Sequence, residues 1–93
     1  MEFERDAAKD RSNQAKHSIS FNEAIAIFAD PDLVILDATQ ARDDESRSKA
    51  IGLIGGHLFV VVFTERGTAR RIISARRTNR KEEQAYGPGE VKA

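Results

Sequence analysis

The sequence has no cysteine and no tryptophan, one methionine, one tyrosine and two prolines in 93 residues. Without cysteine there is no disulfide and no thiolate metal site, and a reducing compartment suits the chain. No apolar stretch approaches the ~20 residues of a membrane span, and residues 1–10 hold no apolar signal-peptide core. The expectation is a cytoplasmic protein with no membrane partner. The two histidines, His17 and His57, lie far apart and match no metal-ligand spacing. There is also no phosphate-binding glycine loop and no serine in a nucleophile elbow. If the chain is an enzyme, the expectation is chemistry without a metal or cofactor.

What remains is one small domain with a concealed charge division. A chain of this length buries about 60% of its unfolded surface, so it leans readily on a partner. The formal net charge is zero, yet residues 1–50 are net −4 and residues 51–93 are net +4. Such asymmetry points toward nucleic acid.

The positive half centres on His57–Arg77, HLFVVVFTERGTARRIISARR, which reads as a β-hairpin that begins apolar and ends cationic. Leu58–Phe63 is an unbroken, β-branched run suited to a central strand buried on both faces. Arg66-Gly67-Thr68 supplies the turn and Ala69–Ala75 the return strand. Arg76, Arg77, Arg80 and Lys81 follow. Crowding like charges at one sheet end stabilises nothing by itself, so a polyanionic partner is implied. Guanidinium forks match phosphate oxygens and can stabilise the dianionic phosphorane of RNA cleavage, and a neighbouring carboxylate such as Glu65 can take a 2′-hydroxyl proton. Glu65, Arg66, Arg70, Arg71, Arg76 and Arg77 are therefore candidates. A two-residue Gly67-Thr68 loop pairs Glu65 with Arg70, whereas a three-residue loop sets Glu65 opposite Ala69. The bland alternative is a cross-strand ion pair beside arginines that solvate an edge.

Elsewhere, Phe3 among charged neighbours suggests an edge strand over residues 1–5, and Asp6 caps a helix over Ala7–His17. Lys9, Asn13, Lys16 and His17 fall along one side of that solvated helix. A histidine at a helix C-terminus often only complements the dipole; acid–base work at neutral pH is the sharper reading. Ser20-Phe21-Asn22-Glu23 is a capping box, and Phe21, Ala24, Ile25 and Phe28 form an i, i+3, i+4, i+7 face ended by Asp30-Pro31. Strands are expected over Leu33–Leu36 and within Arg47–Ile54, separated by an acidic loop and followed by a Gly55-Gly56 turn. Thr78–Tyr86 has helical composition, and residues 87–93 read as a frayed tail. The order is β-α-α-β-β-β-β-α. It implies an α+β fold, residues 1–86, with a twisted antiparallel sheet of about four strands, two N-terminal helices covering one face and a short C-terminal helix.

Taken together, FERD and KHSISFNEA near the start, Asp30-Pro31, Arg47 followed by Ile51-Gly52, VVVFTER at 60–66 and RIISAR at 71–76 resemble the BrnT toxins. The resemblance runs from Phe3 to Tyr86. It implies a RelE-like fold and a metal-independent endoribonuclease that arrests translation. It also implies a BrnA-like ribbon-helix-helix antitoxin, through which alone the pair would touch operator DNA. Carried over by position, Lys16, His17, Glu65, Arg66, Arg71, Arg76 and Arg77 become site candidates. Arg71 and Arg76 would hold the scissile phosphate, Glu65 or His17 would act as base, and Lys16 would hold a flanking phosphate. Arg70 and Arg80 join the RNA-binding set on charge. The chain departs from the family's usual residues at Arg5 (tryptophan), at Ser18 (glycine), near Ser48 (an aromatic or large apolar residue) and at Phe63 (often histidine or tyrosine). Those departures motivate an alternative, a catalytically weakened homologue that binds the antitoxin and modulates operon repression.

Overall fold

The computed structural model describes residues 2–86, and the tail expected over 87–93 lies outside the described residues. Strand β1 (Glu2–Glu4) leads into helix α1 (Ala7–His17) and a short helix α2 (Phe21–Ala24) that passes directly into a 3₁₀ helix (Ile25–Ala29). Strands β2 (Val34–Asp37), β3 (Ser48–Ile54), β4 (His57–Arg66) and β5 (Ala69–Arg77) follow, then helix α3 (Arg80–Ala85). The sheet has five strands in the order β1-β5-β4-β3-β2.

The element order is the one expected, but the sheet is not the wholly antiparallel four-strand sheet. β1 joins as a fifth strand, parallel to β5, with Glu2, Phe3 and Glu4 opposite Ala69, Arg70 and Arg71. The parallel pairing follows from the long return through both helices, since a crossover is what parallel neighbours require. β4 is the central strand, which accounts for its apolar run: Leu58, Val60, Val61 and Phe63 are all buried.

Alternation along β4 divides two cores. Val61 and Phe63 face Ile19, Phe21, Ala24 and Ile27 beneath the helices. Val60 and Leu58 face the opposite way, with Ile51 and Tyr86. Thus α1 and α2 pack on one face, while α3 and Tyr86 cover part of the other. Tyr86 is latched there by its hydroxyl, which donates to Asp30 Oδ2 at 2.5 Å. Burial and that bond push the tyrosine up to about 12.

The second helix differs from its expected periodicity. Its capping box forms, with Ser20 Oγ accepting from the Glu23 N–H and Glu23 Oε1 accepting from the Ser20 N–H. Beyond Ala24 it tightens into the 3₁₀ helix, so the fully buried residues are Phe21, Ala24 and Ile27, at every third position. Ile27 thereby replaces Ile25 and Phe28 as the deepest anchor. It sits over Gly52, where a Cβ would lie 2.9 Å from Ile27 Cβ.

Candidate nucleic-acid interface

The hairpin register resolves to the two-residue loop. Glu65 pairs with Arg70 and Arg66 with Ala69, Gly67 taking the positive φ of 60° that the turn needs. A bulge then opens: Val62 faces Ser74 and Phe63 faces Ile72, leaving Ile73 as the extra residue on β5.

This register divides the candidate residues. At the tip, Arg70 Nε lies 3.6 Å from Glu65, and Arg66 lies 3.4 Å from Glu45. The Arg70 guanidinium is folded inward, 5.1 Å from the Phe28 ring centroid and 4.9 Å from that of Phe63. Arg71 points at Glu4 across the β1 pairing, 3.6 Å away. Arg76 lies opposite Val60, five residues along β4 from Glu65, or roughly 17 Å of strand at about 3.3 Å per residue. The structure therefore does not bring Glu65 and Arg76 together.

Arg76 sits instead in a network that the sequence concealed. It donates to both oxygens of Glu82, Nη1 to Oε1 at 2.9 Å and Nη2 to Oε2 at 2.8 Å. Lys49 Nζ adds a bond at 3.1 Å and the Asn79 N–H another at 2.9 Å. Burial pushes the Glu82 carboxyl up, but the bonds from Arg76, the Asn79 N–H and Lys49 outweigh it and hold the group down at about 2. Asn79 caps α3 reciprocally, accepting from the Glu82 N–H. The charge of Glu82 thus fixes Arg76 and Lys49 while α3 covers it. Both cations keep part of their surface in solvent, 33% for Arg76 and 28% for Lys49.

That surface opens into a groove of about 280 Å³ on the face the helices leave bare, lined by Arg42, Arg47, Lys49, Ser74 and Arg76 together with Asp43. A second groove of about 220 Å³ runs between α1 and β5, lined by Lys9, Ser12, Lys16, His17, Ile73 and Ser74. The two share Ile73 and Ser74, so the bulge forms the saddle between them. Asn13, expected on the solvated side of α1, is instead buried at this junction. Its Nδ2 donates to the Ile19 carbonyl at 3.0 Å, and its Oδ1 accepts from the Ala75 N–H at 3.0 Å. The side chain binds α1 to the part of β5 that β1 does not reach.

His17 ends α1 and is exposed. Ser18 follows in the left-handed conformation (φ 60°), its N–H donating to the Gln14 carbonyl at 2.9 Å. A glycine would adopt that conformation without strain, and the serine adopts it too, so the cap closes directly after His17. Phe63 is fully buried on the helix side against Phe28, with ring centroids 5.6 Å apart. A ring heteroatom at that position would face the core rather than either groove. Arg80 is exposed on the first turn of α3. Lys49 and Arg42 escaped the sequence reading, and Arg47 entered it only as a motif residue and not as a site candidate, although period-two alternation within the expected strand puts Lys49 on the Ile51 face. What the sequence could not disclose was that Glu82 of α3 reaches Lys49 yet leaves it 28% exposed to the groove.

A family model for the ribonuclease toxin BrnT of type II toxin–antitoxin systems matches residues 6–82. The chain belongs to the BrnT family. No curated protein gives a match to the chain. The matched span includes α1, the whole sheet from β2 to β5 and the Glu82 anchor, and so takes in both grooves. As a member of a type II family, the chain is expected to act opposite an antitoxin. Among the described residues, no helix is long and apolar enough to cross a membrane.

Proposed function

We propose that this BrnT chain is a metal-independent endoribonuclease that cuts RNA in the cytoplasm to arrest translation, on a fold of RelE-like arrangement. It is held in check by a BrnA-like ribbon-helix-helix antitoxin, and the pair reaches operator DNA only through that partner. The observation that carries this reading is the meeting of two basic grooves at the Ile73–Ser74 bulge, with Lys9, Lys16 and His17 on one side and Arg42, Arg47, Lys49 and Arg76 on the other. A phosphodiester lying across the saddle would meet cations from both.

In this reading Arg76, held rigid by Glu82, binds the scissile phosphate and Lys16 the adjacent one. His17 removes the 2′-hydroxyl proton. The 2′-oxygen then bonds to phosphorus, the bond from phosphorus to the 5′-oxygen breaks, and water protonates the leaving oxygen, giving a 2′,3′-cyclic phosphate. His17 is preferred over Glu65 as base because it lines the α1 groove with Lys16, whereas Glu65 stands at the hairpin tip beside Arg70. Arg66, Arg70 and Arg71 then serve the tip and the β1 edge, and Arg77 and Arg80 extend the positive surface. The burial of Phe63 supports an active rather than a weakened toxin, since the ring there lies away from both grooves.

Expression of the chain alone should halt growth, and the purified protein should cut RNA in EDTA. Coexpression with the ribbon-helix-helix partner should restore growth. Normal growth with intact RNA, from protein shown to be folded, would overturn the nuclease reading in favour of the antitoxin-binding homologue.

A further inference from the structure

A third groove, of about 410 Å³, lies at the end of the helix-covered face. His17, which also lines the α1 groove, forms one rim, and His57 forms the other. The two histidines are forty residues apart and converge because the Gly55-Gly56 turn, with φ of 56° and 82°, folds β4 back so that His57 sits opposite Ile54. Phe59 and Ile54 contribute an apolar floor. Arg77, across from Phe59 on β5, lies with its guanidinium 5.4 Å from the ring centroid. Among the described residues no carboxylate lies within ion-pairing distance of Arg77. Glu23 is the one acid in the groove, and one of its oxygens takes the Ser20 N–H at 2.9 Å.

We propose that the groove between His17, His57, Phe59 and Arg77 is a nucleobase subsite that seats one nucleotide of a single-stranded RNA flanking the cut. This deepens the function proposed above and rests on it. The volume falls within the ~300–1,000 Å³ of sites that hold a small ligand. Single-stranded nucleic acid is held where flat or aromatic groups take the base and cations follow the backbone, and this groove supplies both at once. A base enters between the imidazoles over Ile54 and stacks on the guanidinium plane that Arg77 holds over Phe59, while the edge of that guanidinium takes its phosphate. His17, shared with the α1 groove, lets one continuous strand pass from this subsite to the saddle. A paired base cannot enter, because its face and edge are already occupied, so the substrate is unpaired at this position.

The test uses the full chain and a fluorescent 2′-O-methyl oligoribonucleotide, which has no 2′-hydroxyl and is not cut. Binding is read by anisotropy, first with the intact strand and then with an abasic residue at each position in turn. The wild type should lose about tenfold in affinity at one position, the worth of one stacked base. His57→Ala and Arg77→Gln should each bind the intact strand about 5–10-fold more weakly and become indifferent to the abasic residue there. His57 and Arg77 are exposed, so neither change disturbs the core. Arg11→Ala removes an exposed charge outside the three grooves and should retain the abasic sensitivity. Wild type that cuts RNA but shows no sensitive position, or variants that keep the wild-type sensitivity, would overturn the subsite alone. Wild type that neither cuts nor binds would overturn the ribonuclease reading and the subsite with it.

Discussion

At the tip of the β4–β5 hairpin, Arg70 approaches Glu65 to 3.6 Å while the Glu65 side chain stays 63% exposed. At its base, Arg76 approaches Glu82 to 2.8 Å with the Glu82 side chain 1% exposed. The residue types are identical, and the family pattern makes both ends candidates. Burial and bond count separate them. The tip carboxylate faces water, where an exposed pair contributes roughly 0–1 kcal/mol. The base carboxylate collects four bonds from Arg76, Lys49 and the Asn79 N–H, and removing one partner from such a cluster strands the others. The contrast lies in the carboxylates: Glu65 is free to adjust at the tip while Arg70, its side chain 17% exposed, packs over Phe28 and Phe63, whereas Glu82 at the base is fixed and holds Arg76 ready.

The largest effect should come from Glu82→Gln, which leaves Arg76 and Lys49 without their countercharge and should cost roughly 3–5 kcal/mol, read from the urea midpoint. Glu82 also fixes an acid limit. Its folded value of about 2 lies below the ordinary 4.5, so its contribution is complete above about 4.5 and fades as the pH falls toward 2. Wild type should lose stability over that window, and Glu82→Gln should flatten the slope. Next, Gly52→Ala would push a methyl to 2.9 Å from Ile27 Cβ and 3.1 Å from the Ile27 carbonyl oxygen. It should cost about 1–3 kcal/mol through the helix-covered core, leaving the acid slope set by Glu82 intact. Ser18→Gly should stabilise by about 1 kcal/mol by relieving the left-handed strain beside His17, seen as a raised Tm. The smallest effect belongs to Glu65→Gln, within about 0.5 kcal/mol by the same urea assay. A shift there as large as that of Glu82→Gln would erase the distinction between tip and base.

Much of this fold could be read from local signals, because those signals act locally. Asp6 caps α1, its carboxylate accepting from the Ala8 and Lys9 N–H groups, and Ser20 and Glu23 form their box. The Gly55-Gly56 and Gly67-Thr68 turns fix the hairpins. The features that stayed hidden depend on distant partners. β1 pairs with β5 across the long return through both helices. The change to 3₁₀ winding at Ile25 answers to Gly52, where Ile27 must fit. Glu82, one of two adjacent glutamates in a polar helix, is set apart locally by its capping-box place three residues after Asn79, but its burial comes from distant Arg76 and Lys49. The candidate site divides along the same line. His17, Lys16 and Arg76 were readable as residue types, whereas their convergence on Ile73–Ser74, and the entry of Lys49, Arg42 and Arg47, needed the sheet and its bulge.

The proposed base is His17 rather than the tip carboxylate, and one measurement decides between them: cleavage of single-stranded RNA in EDTA by the purified His17→Ala and Glu65→Gln proteins, each with its fold verified. The account predicts that His17→Ala loses about 100-fold or more, in keeping with removal of a general base, while Glu65→Gln stays within about twofold of wild type. Full activity in His17→Ala with collapse in Glu65→Gln would contradict it and move the site to the hairpin tip.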